Sequence, residues 1–221
     1  MPRMVAFLHT VPSLVDPFQR LAKEILPDDV EPVHIVDGMA LKIVLDQGGL
    51  SPFIHRRVAE HAVAAEQGGA VAFQCTCSSI SPCVDTARLV VNIPALKVDE
   101  PMVNKAISMG RRIGVAATAP TTLKPTTELV YARAAELGQD VQVDPLLNKE
   151  AYAAMFAGDL AAHDRLVLDM LRLLMSRNDV VLLAQASMAR LADQIPEAER
   201  AAPLLSSPRL AVEHLRTIIG A

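Results

Sequence analysis

A thiol at the end of an apolar run is the group in this chain best suited to chemistry. Residues 70–79 read AVAFQCTCSS, so a run of strand character is followed by Cys77 and two hydroxyl residues, Ser78 and Ser79. A buried parallel strand delivers the residues after it to the carboxyl edge of its sheet, where α/β proteins build their sites. A helix N-terminus beside a thiol lowers its pKa and favours the reactive thiolate. The pattern therefore predicts Cys77 as a catalytic base or nucleophile.

The other cysteines have simpler interpretations. Cys75 lies inside the apolar run and fits a small buried filler, which is the commonest role of a free cysteine and an alternative for Cys77 as well. Cys83 is expected to be structural. The three cysteines form no disulfide framework, and no clustered His or fourth thiol stands at zinc spacing, so neither a metal nor a cofactor is expected. This cysteine usage favours a reducing cytoplasm.

The strands that would position Cys77 form a hidden repeat. Eight short apolar runs begin near residues 5, 33, 71, 95, 113, 141, 180 and 204. Successive runs are separated by 28, 38 and 24 residues in the first half and by 28, 39 and 24 in the second. Such self-similarity indicates two copies of one supersecondary unit.

Amphipathic segments between the runs predict helices at 53–67, 126–137, 164–175 and 208–219. Strands that alternate with helices are typical of parallel sheets. The sequence therefore predicts an α/β protein of two similar lobes, each a four-stranded parallel sheet flanked by helices, related by a pseudo-two-fold axis with a cleft between them. The first lobe would hold 1–99 and 207–221, the second 100–206. A single eight-stranded sheet is the alternative.

Small polar side chains follow the first and third strands of each half. Any one Ser or Thr at such a place is most simply a helix N-cap. Four clusters at equivalent strand ends favour instead an anion-binding cleft, because hydroxyls and free backbone N–H groups cradle carboxylates. The predicted substrate-binding residues are Thr10, Ser78, Ser79, Thr118, Thr121, Thr122, Gln185 and Ser187.

Four charged or titratable residues near the strand ends have open roles. His9 could cap a helix, pack in the core, or serve as an acid or base near neutral pH. Lys97 and Asp99 follow the fourth run and form either a solvated hinge or part of the cleft lining. Asp37 precedes Gly38 and is interpreted first as a turn residue.

Composition excludes several classes of function. Of 221 residues, 51% are hydrophobic and 21% charged, which is typical of a folded globular chain. The net charge is −4 and the basic residues are dispersed, so no nucleic-acid footprint is present. No apolar run reaches the roughly 18 residues of a membrane span, and the first residues are typical of a strand rather than a signal peptide. The expected partner is a small carboxylate, with homo-oligomerisation left open.

The motifs together resemble the aspartate/glutamate racemase superfamily. The resemblance rests on the strand–CSS turn, the segment APTTLKPT at 119–126 and the two-lobe repeat, and it covers essentially the whole chain. That superfamily includes cofactor-independent amino-acid racemases, hydantoin racemases, maleate isomerases and arylmalonate decarboxylases. The resemblance implies that two α/β lobes enclose a small carboxylate substrate. It also implies that Cys77 is the first catalytic cysteine and that His9 replaces an acidic residue.

The chain departs from the family at the second cysteine. Racemases of this kind use one cysteine per lobe on opposite faces of the substrate carbon. The second cysteine would fall at Gln185 or Ala186, and neither can exchange a proton as a thiol does. We therefore expect a racemase- or isomerase-like enzyme that uses one thiolate, with His9 as a further catalytic residue. The alternatives are a single-thiol decarboxylase or cis–trans isomerase, and a non-catalytic protein that binds a small acid.

Overall fold

Two parallel sheets form the framework of the protein in a computed structural model that describes residues 3–220. The strand order is β2-β1-β3-β4 in the first sheet and β6-β5-β7-β8 in the second. The strands are β1 Arg3–His9, β2 Val30–Val36, β3 Ala70–Cys75, β4 Ala95–Lys97, β5 Arg112–Ala117, β6 Gln142–Leu147, β7 Val180–Leu183 and β8 Leu204–Ser206. The predicted α/β fold class is confirmed, and the single eight-stranded sheet is wrong.

Helices connect successive strands, as a parallel sheet requires, and a last helix follows β8. They are α1 Val15–Ile25, α2 Gly38–Gln47, α3 Pro52–Gln67, α4 Val84–Ala87, α5 Glu100–Met109, α6 Pro120–Glu136, α7 Lys149–Phe156, α8 Leu160–Met175, α9 Ala189–Ala192 and α10 Ser207–Ile218. No helix in the described part of the chain is long and apolar enough to span a membrane.

Two helices begin earlier than their apolar patterns predicted. Helix α6 begins at Pro120 rather than residue 126, because Pro120 is favourable in the first turn and the helix tolerates Pro125. Helix α8 begins at Leu160 rather than residue 164, because the Asp159 side chain accepts a hydrogen bond from the backbone N–H of Ala162. The first turn of α6 carries two threonines and no apolar periodicity, so its pattern begins late.

The chain divides into two compact units. The first consists of Met1–Glu100 with Pro208–Ala221, and the second of Pro101–Ser207. Each unit has its own apolar core around its central strands, and all four residues of β7 are buried. Strands that are covered on both faces read as continuous apolar runs, which is why the sequence disclosed them.

The last helix belongs to the first unit. Arg209 pairs with Glu24 of α1 at 2.8 Å, and the Arg3 guanidinium donates to the Ile219 carbonyl at 2.9 Å. Leu215 is completely buried. The chain therefore returns after β8 to complete the unit that contains Cys77.

Candidate functional site

Cys77 is the only partly exposed residue among the three cysteines, since Cys75 and Cys83 are buried. Its sulfur accepts hydrogen bonds from the Thr10 hydroxyl and from the backbone N–H groups of Ser79 and Ile80. Thr10 follows β1 and Cys77 follows β3, which are neighbours in the sheet. The structure therefore brings together the predicted residues Cys77, Thr10 and Ser79.

The pKa of the Cys77 thiol is raised, because burial outweighs the hydrogen bonds that stabilise its thiolate. The expected lowering by a helix N-terminus is wrong for this residue. The loop after Cys77 leads into a single 3-10 turn, Ser81–Cys83, and then the four-residue α4, so no long helix points its dipole at the sulfur. At neutral pH the resting thiol therefore keeps its proton.

The neighbouring thiols are not alternatives to Cys77. Burial raises the pKa of Cys75 well above its ordinary value, and its sulfur lies 3.7 Å from the Cys77 carbonyl oxygen. Burial also raises the pKa of Cys83 to about 12. Both side chains are packed in the apolar core of the first unit, which agrees with their predicted structural role.

Ser78 carries an unsatisfied hydroxyl beside the thiol. The residue is 4% exposed, and its Oγ has no hydrogen-bond partner. Most buried polar side chains in native proteins are hydrogen-bonded, so this hydroxyl, next to Cys77 in the sequence, is free to bind a polar atom of a ligand. The prediction that Ser78 binds substrate gains a physical argument from this position.

His9 is completely buried rather than exposed at the strand end. Its Nδ1 lies 2.8 Å from Thr76 Oγ1, and its Nε2 lies 2.8 Å from Nδ1 of His34. The next link joins His34 Nε2 to Gln19 Oε1, also at 2.8 Å. Burial, and then the nearby His34, lower the pKa of His9 to about 4. A direct role for His9 as acid or base remains a prediction, and both of its ring nitrogens already have protein partners.

His34, Gln19 and Thr76 were not predicted to belong to this site. They come from β2, α1 and the residue after β3, and no motif of the sequence connects them. A histidine at a half-buried strand position was the one available signal. Only the sheet register, which pairs His34 with Phe7 beside His9, brings them together.

Asp37, after β2, makes hydrogen bonds that hold two helices in place. Asp37 caps α2 through the Ala40 N–H, as expected for a turn residue, and also accepts hydrogen bonds from Arg57 and His61. Although burial raises the pKa of Asp37, these hydrogen bonds lower it to about 2. The capping role was predictable, whereas the two partners from α3 were not.

The solvated hinge predicted for Lys97 and Asp99 is wrong, because both side chains are buried. Lys97 pairs with Asp85 at 2.7 Å, and Ser81 donates to the Asp99 carboxyl at 2.6 Å. Burial raises the pKa of Asp99 to about 6. Lys97 is the last residue of β4 and Asp99 follows it by two residues, so both side chains are buried at the end of a buried strand.

The second unit repeats the backbone of the first around its strand ends. Three pairs of equivalent N–H to C=O hydrogen bonds establish the correspondence. They are Thr76–Leu8 and Ala184–Ala116, Asp37–His9 and Asn148–Ala117, and Ile80–Cys77 and Met188–Gln185. Cys77 therefore corresponds to Gln185 and not to Ala186, and Thr10 corresponds to Thr118.

Gln185 shares one contact with Cys77, the hydroxyl of the equivalent threonine, and its other two donors are different. Its Oε1 accepts from the Thr118 N–H at 2.7 Å, the Thr118 hydroxyl at 3.0 Å and the Ala119 N–H at 3.3 Å. Three donors identify this atom as the carbonyl oxygen. The Gln185 amide thus binds the donor groups that precede α6, where the sequence analysis predicted that a substrate carboxylate would bind.

The remaining predicted residues of the second unit differ in their surroundings. The Thr122 hydroxyl donates to the Ala119 carbonyl at 2.8 Å, so it closes the first turn of α6. Thr121 is partly exposed one residue earlier, and Ser187 is exposed after Gln185. Their predicted contact with substrate stays a prediction. Among residues 3–220, no group of three or more His, Cys, Asp or Glu side chains could hold a metal ion.

Comparison with solved structures finds the same fold in several enzymes. A glutamate racemase from Bacillus anthracis superposes with a TM-score of 0.73 at 16% identity, covering 98% of this chain and 81% of that one. Allantoin racemase from Klebsiella pneumoniae gives 0.70 at 13% identity, with coverages of 98% and 87%. An arylmalonate decarboxylase gives 0.60 at 18% identity, with coverages of 99% and 93%.

The sequence comparisons identify the family. No match is found among the curated proteins. The family model for Asp/Glu/Hydantoin racemase matches residues 12–215, which is nearly the whole chain. The strand-end thiol, the internal repeat and this match agree, and the chain belongs to the Asp/Glu/Hydantoin racemase family.

Proposed function

We propose that this protein is a cofactor-independent enzyme that protonates a carbon next to the carboxylate of a small acid, with Cys77 as the proton donor. The observation that carries the proposal is the contrast between equivalent positions, a hydrogen-bonded thiol at Cys77 and an amide at Gln185. An amide has no proton to exchange near neutral pH. The chain therefore offers one acid–base group where the family's racemases use two thiols.

The reaction best served by one thiol is decarboxylation of a substituted malonic acid. The bond between the α-carbon and one carboxylate breaks, carbon dioxide leaves, and the electron pair remains on the carbon as an enediolate. The Cys77 S–H then gives its proton to that carbon, and the thiolate is reprotonated from water. Because the pKa of Cys77 is raised, the thiol carries the required proton at neutral pH.

The groups around Cys77 suit both ends of this proton transfer. The Thr10 hydroxyl and the N–H groups of Ser79 and Ile80 stabilise the thiolate that forms after transfer. The unpartnered Ser78 hydroxyl can donate to the carboxylate that stays on the substrate. The site thus needs no metal or cofactor to hold or to stabilise the reacting acid.

The names of the neighbouring structures are compatible with this reaction, since they include an arylmalonate decarboxylase as well as glutamate and allantoin racemases. Two-base racemisation is disfavoured by Gln185. Cis–trans isomerisation by addition of the thiolate to a double bond is disfavoured by the raised pKa of Cys77, which keeps the sulfur protonated.

The test is a screen of substituted malonic acids, dicarboxylates and amino acids in deuterated water. We expect at least one malonic acid to lose carbon dioxide and to gain a single deuterium at the α-carbon. Cys77→Ser should lower kcat by about 10²–10⁴-fold, the usual contribution of a positioned general acid. The matched control, Cys83→Ser, changes a buried thiol outside the site and should retain the activity.

Two outcomes would contradict the proposal. Racemisation of aspartate or glutamate with deuterium incorporation at an enzymatic rate would mean that a second base exists. Protection of Cys77 from iodoacetamide by dicarboxylates, without turnover of any compound in the screen, would favour a non-catalytic acid-binding protein.

A further inference from the structure

Four side chains of the first unit form a continuous hydrogen-bonded chain beside Cys77. It runs from Gln19 on α1 through His34 on β2 and His9 on β1 to Thr76 after β3, and each of its three links is 2.8 Å long. Three strands and a helix are therefore tied together at the carboxyl edge of the sheet. The end of the chain, Thr76, directly precedes the thiol.

This hydrogen-bonded chain of side chains is held in place because its two imidazole rings are packed as well as hydrogen-bonded. The His9 and His34 rings stack with centroids 5.1 Å apart, and His9 also contacts the Phe18 ring at 5.5 Å. Burial lowers the pKa of both imidazoles, while Asp16 of α1 acts in the opposite direction on His34. At neutral pH both rings are therefore neutral, and each has one donor and one acceptor nitrogen.

Thr76 joins these side chains to the backbone. Its hydroxyl donates its one proton to the Leu8 carbonyl at 2.9 Å, and its oxygen also lies 2.8 Å from Nδ1 of His9. The Thr76 hydroxyl is therefore held by the end of β1 from two sides, through a backbone carbonyl and through a ring nitrogen.

The second unit lacks this device. The residues equivalent to His9 and Thr76 are Ala117 and Ala184, whose methyl groups form no hydrogen bond. The backbone bond between the strand ends is the same in both units, at 2.9 Å from Thr76 N to Leu8 O and from Ala184 N to Ala116 O. The hydrogen-bonded side chains from Gln19 to Thr76 are thus present only in the unit whose third strand is followed by a thiol.

We propose that Thr76, His9 and His34 are positioning residues for Cys77. His9 precedes Thr10 and Thr76 precedes Cys77, so the His9–Thr76 bond fixes the two backbones from which the Thr10 hydroxyl and the Cys77 sulfur meet. Loosening it weakens the hydrogen bonds that stabilise the thiolate. This inference rests on the proposed function only in taking Cys77 as the working thiol.

The test measures the alkylation rate of Cys77 by iodoacetamide against pH, with the site of modification assigned by mass spectrometry. Thr76→Val removes the hydroxyl and keeps the side-chain shape. We expect the pKa of Cys77 to rise by about one unit, so that alkylation below that pKa slows about tenfold. Thr76→Ser restores the hydroxyl and should keep the rate within about twofold of the unmodified protein.

Thr126→Val is the matched control. Thr126 is completely buried in α6, and its hydroxyl has no hydrogen-bond partner, so the same change there removes no bond. A second variant, His34→Phe, keeps a ring in the stack but removes the hydrogen-bond partner of His9 Nε2, and it should also raise the pKa of Cys77. This variant serves if Thr76→Val does not fold.

A pH–rate curve of Cys77 that is unchanged in a folded Thr76→Val or His34→Phe protein would overturn the proposal. So would a shift of equal size in Thr126→Val, which would reveal a general effect of core substitution. Alkylation needs no substrate, so these results are separate from the turnover assay. A failure of the turnover assay contradicts the proposed reaction, and an unchanged alkylation curve contradicts the positioning role.

Discussion

At the scale of single residues, one position in the repeat decides the chemistry. In both units the second residue after the third strand is hydrogen-bonded to a threonine hydroxyl, Thr10 for Cys77 and Thr118 for Gln185. Cys77 is a partly exposed residue whose thiol has a transferable proton, whereas the Gln185 amide oxygen accepts three hydrogen bonds from its own unit. The same backbone therefore supports an acid in one unit and a fixed neutral group in the other.

Asp99 provides a residue-scale prediction about pH. Its pKa is raised from 3.8 to about 6 by burial, so the folded protein binds a proton there that the unfolded chain has lost. This group therefore favours folding at acidic pH and opposes it as the pH rises from about 4 to 6. Asp99→Asn should raise the free energy of unfolding at pH 7 by about 1–3 kcal/mol and leave it nearly unchanged at pH 4.

Urea unfolding of both proteins at several pH values measures this difference. The comparison is needed because His9 acts with the opposite sign. Its lowered pKa of about 4 makes the fold less stable as the pH falls below 6.5, and that effect is common to both proteins. A difference between the two proteins that does not change with pH would contradict the raised pKa of Asp99.

At the scale of elements, Asp37 joins the two helices that follow β2. Its carboxylate caps α2 through the Ala40 N–H and binds Arg57 and His61, which lie one turn apart on α3. The side chain of Asp37 is 4% exposed, so its charge depends on these partners. The α2–α3 pair is thereby fixed to the carboxyl edge of the first sheet, where the proposed site lies.

Removing this carboxylate should loosen both helices. We expect Asp37→Ala to lower the free energy of unfolding by about 2–3 kcal/mol, less than for a fully buried ion pair because the Arg57 side chain is 35% exposed. Asp37→Asn should cost less, since its amide oxygen still caps Ala40. The pKa of Asp37 is lowered to about 2, so its stabilisation is present above pH 4 and is lost as the pH falls toward 2.

Urea unfolding at pH 7 checks the prediction, and Asp46→Ala is the control within the same helix. Asp46 pairs with Lys42 on the surface, with both side chains about 60% exposed, so its loss should cost less than about 1 kcal/mol. Equal costs for Asp37→Ala and Asp46→Ala would show that the buried cluster does not hold the helices.

At the scale of the whole molecule, the sequence predicted architecture better than contacts. Buried parallel strands are continuous apolar runs, so their spacing disclosed both sheets and the repeat. Cys77, Thr10 and Gln185 were predictable because strand ends are fixed by those runs. The chain from Gln19 to Thr76 was not, because hydrogen bonds between residues on four elements leave no periodic trace. Burial also reversed the expected pKa direction of Cys77, and the sequence does not report burial beyond the strand.

The final helix tests how the two units are built. Leu215 of α10 is completely buried although α10 follows the last strand of the second unit, and α10 contacts α1 through the Arg209–Glu24 pair. Leu215→Ala should lower the free energy of unfolding by about 2–5 kcal/mol through the cavity it leaves. Hydrogen exchange should show the larger loss of protection in β1 and the smaller in β5, because α10 completes the first unit. Ile218→Ala, at a position 41% exposed, should change little in either strand. A larger loss in β5 than in β1 would contradict the assignment of α10 to the unit that carries the thiol.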